Sequence, residues 1–186
     1  KYYMERKEKR IDSLRLLLKA DLSLDSQFST NHKIYQEYNT YKSDSAMRYV
    51  LRNKEIAEQL NNPVYKDAST IALSFLLSTA GIFHESIDNL NRINREDLDQ
   101  SLLLDYYTVS EWTYYTAGAY TDDEMFAPVY WKTETLYRDS VFNLLPQGSD
   151  QHVYYIAKKL NHEGRPEEAL PVLLELFPQL AMDTRL

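Results

Sequence analysis

Apolar residues recur at intervals of three and four positions along almost the whole chain, and this periodicity constrains the fold more than any other feature. Ile11, Leu14 and Leu18 form one such stripe near the start, and residues 87–93 carry another. No segment alternates apolar and polar residues as a half-buried strand does. With only 4 Gly and 6 Pro in 186 residues, the chain is also poor in turn residues. The sequence therefore predicts an all-α fold.

Polar and turn-forming residues divide the chain into about seven to nine predicted helices. Gly81 and Gly164 mark turns that need a positive φ, and Pro166 suits a first helical position. Residues 43–45 (Ser-Asp-Ser) are predicted to cap the third helix, and residues 61–63 (Asn-Asn-Pro) to end it. The other predicted helices span about 2–20, 27–41, 64–80, 84–95, 98–119, 123–144, 150–163 and 166–177, with Asp122 and Asp123 in a capping turn and Pro178 opening a further helix.

The segment from Val153 to Leu173 has the most regular internal pattern. Val153, Ile156, Ala157 and Leu160 line one helix face, and Gly164, Ala169 and Leu173 follow. Ala157 and Ala169 are small enough to let two helices approach closely. These residues and their spacing resemble a tetratricopeptide repeat. Segments 74–93 and 34–57 follow the pattern more loosely, and 98–144 departs most, with long helices and no small residue at the expected contact.

The resemblance implies a tetratricopeptide-like stack of antiparallel helix hairpins, an alpha-alpha superhelix. We expect one domain over 1–186, in which 1–25 form an N-terminal helix and 26–186 form about four hairpins.

Three stretches resemble the N-terminal region of a group of gut-bacterial membrane-anchored transcriptional regulators: KYYMERKEKRIDSLRLLL, KIYQEYNTYKSDSAMRYVLRNKEIAEQL and STAGIFHESIDNL. That resemblance implies an export signal before a tetratricopeptide-like sensory region, followed by a membrane helix, a coiled coil and a cytoplasmic DNA-binding region. Because the chain starts at Lys1, we expect it to be a fragment of such a protein. The implied location is the periplasmic face of the membrane; the cytoplasm is the alternative.

Charge and composition argue against several kinds of partner. The formal net charge is −7, and the basic residues cluster only at Lys7, Lys9 and Arg10, so we expect this region to bind no nucleic acid. Contact with a membrane is expected only through flanking segments. The lack of cysteine excludes disulfides, thiol catalysis and thiolate metal sites.

No motif in the sequence indicates catalysis, a cofactor or a metal site. The four histidines form no HExxH motif. The acidic run Asp122, Asp123 and Glu124 lacks the spacing of a calcium-binding loop, so a helix cap is the simpler interpretation. The chain is predicted not to be an enzyme.

The 16 tyrosines are the unusual feature of the composition. Eight residues are predicted to line a concave binding groove: Tyr35, Tyr38, Asn39, Phe75, Tyr107, Glu111, Tyr154 and Lys158. The alternative is that these rings pack between neighbouring helices. The stretch 106–131 holds seven aromatic residues that cannot all fit one buried stripe, so some are expected to be exposed.

The resulting functional prediction is a non-enzymatic sensory module that binds a peptide, a protein or a small ligand. The alternative is a scaffold or adaptor for protein–protein interaction with no signalling role. A homodimer and an enzyme whose site the sequence hides are further options that the sequence leaves open.

Overall fold

The computed structural model describes residues 2–177, which form nine α-helices and no strand. The helices are α1 (Tyr2–Leu17), α2 (Leu24–Tyr38), α3 (Ser43–Gln59), α4 (Pro63–Thr79), α5 (Phe83–Asn91), α6 (Leu103–Tyr120), α7 (Ala127–Leu144), α8 (Asp150–His162) and α9 (Pro166–Leu176). The all-α prediction is confirmed. The helix predicted to open at Pro178 lies outside the described residues.

The turns between helices follow the predicted chemistry, with one correction. Gly81 and Gly164 have φ of +79° and +74°, and Asn61 reaches +45° at the equivalent turn after α3. The Asn62 side chain accepts a hydrogen bond from the Tyr65 N–H and so caps α4. The prediction that residues 43–45 cap α3 is wrong: the helix already begins at Ser43, and the N-cap residue Lys42 makes no side-chain cap.

The segment between α5 and α6 also differs from the prediction, because local polar side chains hold it out of a helix. Asn94 donates to Asp97 Oδ2 at 2.6 Å and accepts from the Glu96 N–H. Asp99 accepts from the Ser101 N–H and opens a short 3-10 turn at Gln100–Leu102. Such side-chain bonds compete with helical ones, so α5 ends at Asn91 rather than near residue 95.

Residues up to Glu134 form one compact unit and residues from Thr135 onward form a second, with the boundary inside α7. In the first unit, α1 to α6 pack against their sequence neighbours, and α4 also contacts α6. In the second unit α8 packs against α9, with Ala157 and Ala169 buried. The expectation of a single domain stays a prediction.

The core of the first unit joins α1, α2, α3 and α4. It contains Ile11, Ile34, Tyr35, Tyr38, Ala46, Val50, Ala72 and Leu76. The buried Lys7 ammonium holds α1 to the end of α2 by donating to Glu37 O and Thr40 Oγ1, both at 3.2 Å. Burial of apolar surface stabilises this layer by about 25 cal/mol per Å².

A buried hydroxyl cluster joins α4, α5 and α6. Ser78 Oγ lies 2.6 Å from Thr113 Oγ1 and 2.8 Å from Ser86 Oγ, and Ser86 Oγ donates to Ser74 O at 2.8 Å. All four residues are buried. Small hydroxyl side chains let the three helices approach closely while their polar atoms stay paired.

Gly118 supplies a close contact that the sequence argument missed in segment 98–144. A Cβ at this position would lie 3.0 Å from Trp131 Cε2, a tight contact, so glycine lets the indole ring rest on α6 without having to shift. The close contact of this pair thus lies at Gly118, a position that the repeat pattern did not single out. Exposure of part of the aromatic stretch is confirmed, since Trp112 and Tyr115 are 37% and 38% exposed.

Candidate ligand-binding pocket

A pocket of about 400 Å³ opens between α2, α4 and the start of α6, within the first unit. This volume lies in the range of small-molecule sites, about 300–1,000 Å³. Most of its wall is apolar and is formed by Phe28, Val64, Tyr65, Ala68, Ile71, Ala72, Phe75, Leu102 and Val109.

Two stacked rings form one wall of this pocket. The rings of Phe28 and Tyr65 are 3.8 Å apart between centroids and nearly parallel, at 7°. The Tyr65 hydroxyl donates to Asp25 Oδ1 at 3.1 Å. Asn53 Nδ2 donates to the backbone oxygen of Phe28 at 3.0 Å. Ring stacking, the bond of the Tyr65 hydroxyl and the bond to the Phe28 backbone fix this wall before any ligand arrives, which limits the ordering cost of binding.

The polar part of the wall comes mainly from one face of α2, where His32, Tyr35, Gln36 and Asn39 follow at helical spacing. His32 Nε2 lies 3.1 Å from Gln36 Nε2. Burial lowers the pKa of His32, while the negative charge of Asp105 opposes the shift. The imidazole is therefore neutral at pH 7.

Tyr35 and Asn39 form the inner end of this polar face. Burial raises the pKa of Tyr35 to about 12, and hydrogen bonding from the Asn39 side chain opposes that shift. The Asn39 oxygen, Oδ1, is buried without a hydrogen-bond donor. Asn53, Ser69 and Ser110 also carry a buried polar atom without a partner, but none of them lines the pocket. The Asn39 oxygen is thus a buried, unused acceptor on a residue that lines the pocket.

Asp105 and Thr108 of α6 lie across from α2. Both residues are accessible to solvent, yet the surrounding concave wall reduces the hydration of the Asp105 carboxylate. That partial burial raises the pKa of Asp105, and His32 opposes the shift. The carboxylate also acts on Tyr35, so the acidic group and the α2 face share one electrostatic environment.

Three of the predicted groove residues, Tyr35, Asn39 and Phe75, line this pocket. Tyr38 is instead buried in the core of the first unit. Tyr154 and Lys158 lie on α8 in the second unit. Whether the predicted residues act together in binding stays a prediction.

Tyr107 and Glu111 lie on a different face of α6 from the pocket. At 100° per residue, Tyr107 is rotated by about 200° from Asp105. Tyr107 lines a separate recess with residues 91–96, and Glu111 is buried.

Sequence reasoning missed the pocket residues His32, Gln36, Asp105 and Thr108. His32 and Gln36 carry a usable signal, because they lie three residues before Tyr35 and Asn39 and share their helix face. Asp105 has no such signal in the sequence, since its place in the pocket wall depends on how α6 packs beside α4.

Within residues 2–177, none of the helices combines the length and apolar character that crossing a membrane requires. The same residues contain no group of three or more acidic or histidine side chains placed to hold a metal ion.

Comparison with known proteins places this fold in a family. No curated protein and no solved structure matches the chain. A family model described as the SusR N-terminal TPR domain matches residues 1–186. The match covers the whole chain and agrees with a stack of helix hairpins, the architecture of tetratricopeptide repeats. The chain therefore belongs to the family of the SusR N-terminal TPR domain.

Proposed function

We propose that this chain is the non-enzymatic sensory module of a bacterial transcriptional regulator and that it binds a small ligand in the pocket between α2, α4 and α6. Tetratricopeptide-type domains are binding modules that present a surface built from successive repeats. The observation that carries the proposal is the pocket itself, whose lining combines preformed aromatic walls with Asn39, a residue that has an unused acceptor.

The position of the pocket provides a route for signalling. Its wall is shared by α2, α4 and α6, which belong to successive parts of the stack. A ligand that touches all three helices favours the arrangement in which they close around it. It transmits a signal only to the extent that it binds that arrangement more tightly than the alternatives.

A paired set of variants in the full-length protein tests this function. Thr108 is accessible at the pocket, so Thr108→Trp should fill the pocket without disturbing the core. Thr79→Trp is the matched control, because Thr79 is exposed on α4 and outside the pocket lining. Expression of the regulated genes is measured while cells grow on single nutrients. We expect a nutrient response in the wild type and in Thr79→Trp that Thr108→Trp loses. An unchanged response in Thr108→Trp would refute the sensor proposal.

The proposed location is the periplasm, with anchoring through segments outside this chain. Because the chain lacks cysteine, Ser29→Cys adds a single exposed thiol to it. A membrane-impermeant maleimide should label that thiol in cells whose outer membrane alone is permeabilised, relative to the parent protein. Labelling only after lysis would instead support the cytoplasmic alternative.

The adaptor function remains the second candidate, and an apolar surface favours it. Tyr120 is 80% exposed, and Met125, Phe126 and Val129 beside the α6–α7 turn are exposed as well. Contiguous exposed apolar surface commonly marks a protein interaction site. If Tyr120→Ser/Phe126→Ser abolishes all cellular function and Thr108→Trp leaves it intact, the adaptor function replaces the sensor.

A further inference from the structure

We propose that the pocket selects a small ligand with an apolar body and a hydrogen-bond-donating, non-anionic end, an amine or a hydroxyl, that binds between Asp105 and Asn39. This inference rests on the proposed function only in taking the pocket to be the ligand site. It adds the chemistry of the ligand, which neither the family nor the fold specifies.

The walls set the shape of the ligand body. The stacked Phe28 and Tyr65 rings and the Phe75 ring present flat apolar surface on α2 and α4. A cavity of about 400 Å³ accommodates a body of roughly one to two rings. Burial of that body against aromatic and aliphatic groups supplies affinity but little discrimination between end groups.

The polar groups of the pocket determine which kind of ligand end group can bind. Asn39 offers a buried oxygen that has no donor, and Asp105 offers a solvent-accessible carboxylate at the pocket wall. Both groups accept hydrogen bonds, so a ligand that donates satisfies them. In general, a buried acceptor without its hydrogen bond costs about 1–3 kcal/mol. This end of the pocket therefore selects ligands that donate a hydrogen bond.

The charges at the pocket exclude a ligand with an anionic end group. None of the described residues that line the pocket is Lys or Arg. His32 is neutral at pH 7 because burial lowers its pKa. A carboxylate or phosphate group would therefore lose hydration and meet the Asp105 charge with no cation to offset either effect.

Three probes with the same phenyl body test the proposal: 2-phenylethylamine, 2-phenylethanol and 3-phenylpropanoate. Their dissociation constants for the 186-residue chain are measured by ligand-observed NMR at pH 7. We expect the amine and the alcohol to bind in the millimolar range and the carboxylate at least about tenfold more weakly. Equal or tighter binding of the carboxylate would overturn the proposal, and so would failure of both donors to bind at about 10 mM.

Substitutions in the pocket test which side chains bind the polar end of the ligand. Asp105→Asn should weaken amine binding at least about tenfold and alcohol binding less, because it removes the charge but keeps an acceptor. Asn39→Leu should weaken both donors. Asp21→Asn is the matched control, since Asp21 is exposed and outside the pocket lining. Circular dichroism confirms that each variant is folded. Unchanged amine binding in Asp105→Asn would contradict the inference.

The two proposals fail separately. If donors bind as expected but Thr108→Trp leaves the nutrient response intact, the sensor function is wrong and the pocket chemistry stands. If Thr108→Trp abolishes the response while the carboxylate binds best, the function stands and the chemistry is wrong.

Discussion

The contacts made by α4 and α6 differ sharply between the hydroxyl cluster and the pocket. In the cluster of Ser74, Ser78, Ser86 and Thr113, small side chains bring the helices together, the hydroxyls of Ser78, Ser86 and Thr113 bond to one another, and Ser86 donates to the Ser74 backbone oxygen. In the pocket the helices stand apart, the wall is largely apolar, and the Asn39 oxygen lacks a donor. Filled, paired contacts hold the stack together, whereas an open contact with an unpaired acceptor provides room for a ligand. Substitutions in the two regions should therefore have opposite effects on stability.

The largest expected effect is at the centre of the hydroxyl cluster. Ser86→Val removes the hydroxyl that links α5 to α4 and α6 and adds volume to a fully buried site. Overpacking and lost hydrogen bonds should together lower the free energy of unfolding by about 2–4 kcal/mol. Urea unfolding measures this value. A loss below about 0.5 kcal/mol would show that the cluster is loosely packed.

A second close contact lies in the other unit, between α8 and α9. Ala169 is buried there, as the repeat pattern predicts. Ala169→Leu should destabilise the protein by roughly 1–3 kcal/mol through overpacking, with Leu170→Ala as an exposed control on α9. A thermal melt that Ala169→Leu leaves unchanged would remove the tetratricopeptide interpretation of this hairpin.

At the pocket, the effect of a substitution on the free energy of unfolding should have the opposite sign. Asn39→Leu replaces a side chain whose oxygen is buried and unpaired with an apolar one of similar size. Removal of the unpaired oxygen should match or exceed the loss of the Asn39 hydrogen bond to Tyr35, so we expect the free energy of unfolding to stay constant or to rise by about 0.5–1 kcal/mol, while ligand binding falls. A marked loss of stability in the same urea experiment would mean that Asn39 is structural rather than reserved for a ligand.

The smallest effect concerns pH. Because burial lowers the pKa of His32, the unfolded chain binds this proton more readily than the folded one. Stability should therefore fall as pH decreases from about 7 through the ordinary histidine pKa near 6.5. His162, whose pKa is also lowered, contributes in the same direction. His32→Gln should reduce the loss of Tm between pH 7 and 5.5, and identical pH profiles would show that His32 is well hydrated.

The fold could be predicted from sequence because its signals are local. Glycine at 81 and 164 and proline at 63 and 166 act on the residues beside them, so most helix ends agree with the structure within a few positions. The α2 wall of the pocket was partly predictable for the same reason, since Tyr35 and Asn39 share a face that periodicity reveals.

The α6 wall could not be predicted, because it depends on the irregular segment before that helix. Hydrogen bonds of Asn94 and Asp99 delay the start of α6, which begins at Leu103 rather than near residue 98. Tyr107 and Glu111 lie outside this pocket, whereas Asp105, which the sequence did not single out, lines it. The orphan Asn39 oxygen and the Gly118 contact also depend on packing between helices, which spacing along one helix does not encode.

The contact between Gly118 and Trp131 gives the protein a useful optical property. Its two tryptophans report on different surroundings: Trp131 rests on α6, whereas Trp112 lies 6.5 Å from the ring of Phe75, a pocket residue. Replacing Trp131 with Phe leaves Trp112 as the single indole fluorophore. Its emission can then follow occupancy of the neighbouring cavity directly, without any attached dye.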